Sequence, residues 1–447
     1  MVIGISTALN DWNARLPPML DASAGPATTL PPPAGTARRL LQAAILFPLA
    51  FALVACALTW QGNTDPAWRE RVLTYFTPDD IARGIEYQRA YVPGSALRAL
   101  LAWSYLGWLV LAGGGRRIGD WALRITRGRG ILSAVLVALV VTFGLRLMML
   151  PVSFYHGFVL EGRFGFRRLE LWGWVARLLK GWGVAAVSEA GAVALFYAAL
   201  TRFPRRWLAV AVIGGAMISF ILTIVWQPLI LPLFYKVSPL PPGALRDGVS
   251  ELAARAGVPV HEIRLIDQSR VSAHTNAFFS GIGSRREIYL YDTLSEQHDV
   301  PEVLAVVAHE IGHWRHQHVL KGWALGVAGA ALGLWLLRGL LGSRQFLAAA
   351  RAYAPTDPAL VPALWALVLA SGVAVSPIEN AVSRHFEREA DQAAIALIPD
   401  PEIFVRMKVE SARSNRSPLL PHPFLVFWNS THPTVIERIE MAAAAKR

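Results

Sequence analysis

The chain has 447 residues, of which 54% are hydrophobic and 17% charged, and its mean hydropathy is +0.39. Soluble domains carry about a quarter charged residues, so this composition excludes an ordinary soluble protein and indicates a membrane protein. The formal charge of +12 is scattered between apolar stretches, which excludes a nucleic-acid-binding surface, and the single cysteine, Cys56, excludes an intramolecular disulfide and a cysteine-rich metal site.

The N-terminal region opens with residues 1–38, in which LPPPAG precedes Arg38 and Arg39. Proline-rich stretches of this kind are typical of flexible tails. The next apolar run contains LVAC at residues 53–56, a sequence that would also suit the end of a lipoprotein leader. Because such a leader would be unusually long, we interpret the run as a membrane span.

Seven apolar runs approach the roughly 20 residues that a helix needs to cross a bilayer. They lie at about residues 40–60, 96–112, 131–151, 183–200, 207–231, 319–341 and 359–376. We therefore predict seven transmembrane helices, five within residues 39–234 and two within residues 319–376. Three charged residues lie inside these runs: Arg98, Arg146 and Glu189. Either they snorkel to the interface or pair with one another inside the bundle, or they face a water-filled cavity.

A long polar insertion, residues 235–318, separates the fifth span from the sixth. Its pattern predicts a helix at residues 243–256 and then strands in EIRLID (262–267), HTNAFFSG (274–281) and EIYLYD (287–292). The predicted fold class is therefore mainly α, a multi-pass membrane protein with a small α+β insertion.

The insertion ends in HEIGHWRHQH, residues 309–318, which contains the pattern HExxH. His309 and His313 are four residues apart, so a helix projects both imidazoles from one face towards a single metal ion. Zinc suits such ligands, and Glu310 beside the ion is placed to act as a general base. Gly312 lets another backbone come close to this helix.

The remaining zinc ligand is expected from another part of the chain. His316 would lie about 10.5 Å from His309 along a continuous helix, too far for three side chains to converge on one zinc ion. We interpret His316 and His318 as bystanders that meet water or headgroups. The segment SRHFEREAD, residues 383–391, offers Glu387 as the ligand and Asp391, four residues later, as the hydrogen-bond acceptor of a ligand histidine.

Several motifs between residues 155 and 438 occur in a characteristic order. They are YHGFVLEGRFGF, PLFYKVSPL, SAHTNAFFSG, LYDTL, AHEIGHW, SPIEN, SRHFEREAD and THPTVIERI. Together they resemble the integral-membrane zinc metalloproteases of the CAAX prenyl protease 1 family. The resemblance implies seven helices around a large intramembrane chamber, with the zinc site at one end under the insertion.

The resemblance also implies roles for single residues. His309, His313 and Glu387 would bind one zinc ion in a gluzincin-like site, and Glu310 would be the general base. Asp391 would support a zinc ligand or donate a proton. Within the C-terminal segment, residues 377–447, His432 would stabilise the oxyanion and Arg438 would face the substrate groove. Asn276, Ala277 and Phe278 would begin an edge strand that pairs with the substrate.

The implied function is that of a zinc-dependent endopeptidase that cleaves near the C-terminus of prenylated CaaX-type proteins or peptides, as a monomer in the lipid bilayer. The resemblance places the active site in the cytoplasm, whereas the arginines at residues 116–129 and 202–206 would make the opposite face cytoplasmic by the positive-inside rule. Two alternatives stay open: a quality-control protease without a prenyl requirement, and a metal-regulated receptor or transporter. A metal-sensing site would not need the base Glu310.

Overall fold

The computed structural model describes residues 35–282 and 285–445. The predicted flexible tail lies outside these residues, except that residues 35–38 form the start of the first helix rather than the end of a tail. Within this described part of the chain, seven helices are long and apolar enough to cross a membrane, which confirms the predicted number of spans. LVAC lies inside the first of them.

The N-terminal half is helical. Its helices are α1 (Gly35–Gln61), α2 (Pro66–Leu73), α3 (Pro78–Leu111), α4 (Gly114–Ile125), α5 (Gly130–Phe154), α6 (Leu171–Arg202) and α7 (Trp207–Val225). A π-helical segment, Tyr155–Leu160, extends α5, and another, Trp226–Ile230, extends α7. All of these except α2 and α4 are candidate spans.

The insertion contains a small mixed sheet and the helix of the HExxH pattern. Its elements are β1 (Val237–Pro239), α8 (Ala244–Arg255), β2 (Glu262–Ile266), β3 (Ala277–Ile282), β4 (Arg285–Tyr291), α9 (Asp292–Gln297) and α10 (Val300–Arg315). The strand order is β1-β2-β4-β3, with β2 and β4 parallel and the other pairs antiparallel. The three predicted strands are present, β1 was not predicted, and β3 lies at an edge of the sheet.

The C-terminal half returns to the membrane and then leaves it. Its helices are α11 (His318–Leu341), α12 (Arg344–Ala349), α13 (Val361–Leu397), α14 (Pro401–Ser414), α15 (Pro423–Asn429) and α16 (Val435–Ala444). The predicted boundary between residues 376 and 377 falls inside α13, which continues without interruption from the seventh span to Glu387. The seventh span therefore carries the predicted metal ligand on its own extension.

Two large clusters of buried apolar residues pack most of these elements together. One joins the insertion to the C-terminal helices and includes Ile288, Val307 and Phe404. The other lies among the membrane helices and includes Leu109 and Trp207. The HExxH helix α10 contributes its apolar face to the first cluster, so the packing of the insertion fixes the position of the predicted site.

Two of the three charged residues noted in the apolar runs form an ion pair. Arg146 Nη2 lies 3.4 Å from Glu189 Oε2, and the hydroxyl of Thr142 donates to the same oxygen at 2.8 Å. Arg98 is exposed, with Nη2 3.4 Å from His156 Nδ1. Pairing inside the bundle therefore accounts for Arg146 and Glu189, whereas a water-filled chamber stays a prediction.

Candidate active site

The helix α10 is positioned by its N-terminus and by its packing on α13. Asp299 caps the helix by accepting a hydrogen bond from the backbone N–H of Glu302 at 3.0 Å. At Gly312, a Cβ atom would lie 2.8 Å from the carbonyl oxygen of Ala390 and 2.9 Å from its Cα. Glycine therefore allows the two helices to approach within backbone contact, as the sequence indicated, and this brings Glu387 opposite the histidines.

Three potential metal ligands converge between α10 and α13. The Nε2 atoms of His309 and His313 are 3.1 Å apart, and each lies 3.3 Å from one carboxylate oxygen of Glu387. His309 and Glu387 are buried, with relative exposures of 7% and 6%. Among the described residues, Glu387 Oε2 has no hydrogen-bond partner although it is buried. Two nitrogen lone pairs and a carboxylate that face one point are a donor set that fits a metal ion.

Asp391 and Arg438 support the first histidine. Asp391 Oδ1 lies 2.8 Å from His309 Nδ1, so the Nδ1–H donates to the carboxylate and the lone pair of Nε2 remains free. Arg438 donates to both oxygens of Asp391, from Nε at 2.7 Å and from Nη2 at 2.6 Å. The guanidinium of Arg438 is buried against Asp391, which is itself fully buried, and its Nη2 also lies 3.4 Å from Glu387 Oε2. The expectation that Arg438 faces the substrate groove stays a prediction.

Glu310 is half-buried next to the ligands. Burial raises the pKa of its carboxyl group above the ordinary value, although the positive charge that His309 and His313 can carry opposes this effect. A carboxylate whose pKa lies nearer to neutrality is better suited to accept and return a proton.

His432 lies on the open side of the ligand set. Its Nε2 is 3.3 Å from Glu387 Oε1, its Nδ1 is 2.8 Å from the hydroxyl of Thr431, and 54% of its side chain is exposed. Desolvation lowers the pKa of His432, and the charges of Arg438 and Lys408 lower it further, while Glu387 opposes them. The imidazole is therefore neutral at neutral pH.

The sequence did not reveal Lys408, on α14. It is half-buried, and its ammonium group lies 5.0 Å from the centre of the Phe404 ring. Burial and the nearby charge of Arg438 lower the pKa of Lys408 to about 8, against the opposing charges of Asp391, Glu387 and Glu310. A single lysine on an amphipathic helix looks like an ordinary solvent-facing residue, so the sequence held no signal for this position.

The interpretation of His318 as a bystander in contact with water or headgroups was wrong. His318 is buried, at 5% exposure, and its Nδ1 lies 2.9 Å from His313 Nδ1. The reason is that Gln317 adopts a left-handed conformation, φ 56°, which ends α10 and starts α11 in a new direction. The sequence interpretation placed His318 at a helix end that faces water or headgroups, because a left-handed residue other than glycine leaves little trace in a sequence.

The strand β3 runs beside α10 at the edge of the sheet. The backbone N–H of Tyr291 donates to the carbonyl of Asn276 at 3.1 Å, and paired residues alternate along an antiparallel ladder. The backbone groups of Ala277 and Phe279 therefore point to the edge of the sheet that no other described strand pairs with. Phe278 stacks on Tyr289 with ring centres 4.9 Å apart. Pairing of this edge with a substrate stays a prediction.

A polar network, which the sequence also missed, joins the start of β3 to the membrane helices. Glu161, at the end of the α5 extension, accepts hydrogen bonds from Tyr87 at 2.8 Å and from Tyr91. His274 connects this carboxylate, through Nε2 at 3.0 Å, to the side-chain oxygen of Asn415, through Nδ1 at 3.0 Å. The loop before β3 is thereby fixed to both halves of the molecule.

Comparison with known proteins places this arrangement in a family. Residues 68–236 match the description "CAAX prenyl protease N-terminal, five membrane helices", and residues 239–446 match "Peptidase family M48". The CAAX prenyl protease 1 homolog of Arabidopsis thaliana is 30% identical over 300 residues, which are 65% of this chain and 68% of that protein. The chain belongs to the CAAX prenyl protease 1 family.

Further comparisons describe the extent of the likeness. The probable CAAX prenyl protease 1 of Schizosaccharomyces pombe is 31% identical to this chain over 303 residues. The matched region covers 66% of this chain and 62% of that relative. The fold of this chain is similar to the crystal structure of Ste24p from S. mikatae, with a TM-score of 0.76, 22% sequence identity, and coverage of 92% of this chain and 99% of the other. The predicted fold class is thereby confirmed.

Proposed function

We propose that this family member is a membrane-embedded, zinc-dependent endopeptidase. The observation that carries the proposal is the convergence of His309, His313 and Glu387, with Glu310 beside them and the open edge of β3 running along the same helix. Two imidazoles and one glutamate are the ligands of many zinc peptidase sites, which keep a further position open. One bound zinc ion would supply Lewis acidity to the scissile carbonyl.

The residues of the chain account for the other steps. An extended peptide adds to the edge of β3 by pairing with the backbone of Ala277 and Phe279. Glu310 takes a proton from the attacking water and returns it to the leaving amine. The neutral imidazole of His432 donates a hydrogen bond to the oxyanion that develops on the substrate, and Asp391 keeps His309 in the orientation and tautomer required of a ligand.

The proposed substrates are proteins or peptides with a prenylated CaaX-type C-terminus, since relatives carry the name of CAAX prenyl proteases. The active site is proposed to face the cytoplasm, and the protein to act as a monomer in the bilayer. An alternative, proteolysis of membrane proteins without a prenyl requirement, is favoured by the chemistry of β3, because an open strand edge binds backbone groups that any extended peptide offers.

Hydrolysis of peptides by the purified protein in lipid nanodiscs tests the proposal. Farnesylated and unmodified CaaX peptides are compared, and bound zinc is measured in parallel. Glu310→Gln removes the base but keeps its shape, so we expect hydrolysis to fall by roughly 10²–10⁴-fold while bound zinc is unchanged. Glu296→Gln, an exposed glutamate of the same insertion, is the matched control and should retain full activity.

The outcomes separate the alternatives. Zinc in both the wild type and Glu310→Gln, with hydrolysis in neither, would contradict the peptidase and favour a metal-regulated receptor or transporter. Equal hydrolysis of farnesylated and unmodified peptides would remove the prenyl requirement and leave the quality-control alternative.

A further inference from the structure

A second cluster of metal-binding side chains lies where α10 meets α11, against α13. Potential ligand atoms of His316, His318 and Glu389 all lie within 4.8 Å of one another. His318 Nε2 is 3.0 Å from Glu389 Oε2, and His385 Nε2 reaches to 3.7 Å from the other carboxylate oxygen. Three histidines therefore surround one carboxylate, next to the proposed catalytic centre.

The chemistry of this cluster determines which ions it can hold. Imidazole nitrogen suits zinc and its neighbours in the first transition row, whereas magnesium and calcium prefer oxygen ligands. His318 is buried and His316 and Glu389 are half-buried, so an ion could enter from solvent and keep water as a further ligand. His385 is 65% exposed and lies at the rim of the cluster.

A hydrogen bond couples the cluster to the catalytic ligands. His313 Nδ1 and His318 Nδ1 are 2.9 Å apart, so one nitrogen carries the proton and the other accepts it. If His313 binds zinc through Nε2, its proton sits on Nδ1 and points at the bare Nδ1 of His318. The proton of His318 is then on Nε2, where it is donated to Glu389.

An ion in the cluster conflicts with this arrangement. An ion bound at His318 Nε2 takes the place of the Nε2 proton, so a neutral ring must carry its proton on Nδ1. Two N–H groups would then face each other between His313 and His318, and neither could accept a hydrogen bond. The hydrogen bond between the two rings is then lost, and His313 loses a partner that fixes its orientation.

We propose that His316, His318 and Glu389 form a second site for a divalent transition-metal ion, and that an ion bound there inhibits the catalytic centre. The inhibition rests on the proposed function, whereas the binding site does not. Catalysis would then be greatest with one equivalent of zinc and would decline when excess zinc fills the second site.

Equilibrium dialysis of tag-free, full-length protein against increasing free zinc, with elemental analysis of bound metal, tests the site without reference to activity. The wild type should take up one tight and one weaker equivalent. His316→Asn and Glu389→Gln should keep the tight equivalent, which also shows that they fold, and should weaken the second by more than about tenfold. His261→Asn, an exposed histidine of the insertion, should leave both unchanged.

Peptide hydrolysis over the same zinc series tests the coupling. The wild type should lose activity as the second equivalent binds, and His316→Asn should resist this loss. A single equivalent in the wild type, or a second that survives both substitutions, would overturn the site. Uptake of the second equivalent without loss of hydrolysis would overturn the inhibition, whereas failure of the proposed function appears separately as no hydrolysis at any zinc concentration.

Discussion

The helix α10 and the membrane helices α7 and α11 are packed in different ways. Eight of the 16 residues of α10 are buried, including His309 and Gly312. In α7 only Trp207 is buried, and α11 buries only its end residues, His318 and Leu341. The insertion thus has the close packing of a soluble core, whereas these two spans leave nearly all of their side chains unburied.

The difference follows from the solvent of each region. Lipid tails are as apolar as leucine, so a membrane helix gains little by burying its side chains against protein and can remain exposed to the bilayer. In water, apolar side chains must be removed from solvent, which draws α10 against α13. The metal ligands lie in the region that is packed as in water. Their geometry should therefore depend on the contact between α10 and α13 far more than on the packing of the spans.

Substitution of glycine by alanine at two positions should give the largest contrast between the regions. Gly312→Ala places a methyl group 2.8 Å from the carbonyl oxygen of Ala390, so α10 and α13 must separate. We expect a loss of about 1–3 kcal/mol of stability and a marked loss of bound zinc. Gly322→Ala, on α11, meets nothing within 4 Å and should change neither. Thermal unfolding in detergent and elemental analysis measure both effects, and equal behaviour of the two variants would contradict the comparison.

Within the close-packed region, the carboxylate of Asp391 that holds His309 should affect zinc affinity next most strongly. Asp391→Asn removes the negative charge that orients His309, and it leaves the buried guanidinium of Arg438 with Glu387 as its remaining carboxylate partner, at 3.4 Å. Zinc affinity should fall about 10–100-fold, because ligand orientation is lost. Competition with a zinc chelator measures the change, and Asp247→Asn, an exposed aspartate of the insertion, serves as control. Unchanged affinity would show that packing alone holds His309.

A pH series tests the connection between the two regions at His274. Burial by itself would lower the pKa of His274, but hydrogen bonds to Glu161 and Asn415 and the charge of Glu161 raise it overall. A raised pKa means that protonation stabilises the folded state, fully so below the unfolded value of about 6.5 and no longer once the pH has risen through the folded value.

The difference in unfolding temperature between the wild type and His274→Gln should therefore be greatest at acidic pH and should shrink as the pH rises through the folded pKa. Thermal denaturation in detergent across this range measures it. A difference that stays constant, or that grows with pH, would refute the protonated pair between His274 and the membrane helices.

The smallest effect on stability is expected from an exposed ion pair at the surface. Arg71 of α2 and Glu440 of α16 form an ion pair, but their side chains are 43% and 38% exposed. Solvent screening limits such pairs to about 0.2–1 kcal/mol. A double-mutant cycle with Arg71→Ala and Glu440→Ala measures the coupling, and a value well above this range would mean that electrostatics, and not packing, joins these helices.

Local patterns in the sequence were enough to predict much of the molecule. Apolar runs of sufficient length predicted all seven spans, because in lipid a helix must satisfy its own backbone. The four-residue spacing of His309 and His313 predicted a shared face, since it reflects one helical turn. The spacing of Glu387 and Asp391 likewise placed both side chains towards α10.

The tertiary structure decided the contacts that join distant segments. The left-handed turn at Gln317 returns His318 to His313, and the direction of Arg438 towards Asp391 depends on how α16 packs on α13. Neither follows from spacing along one helix, because each depends on where separate elements meet in space. The sequence by itself determined that His309, His313 and Glu387 could bind a metal and that Asp391 could support one of them, because helical spacing is a local property. Only the packing brought His318 beside Glu389 and directed Arg438 towards Asp391, because these contacts join separate elements.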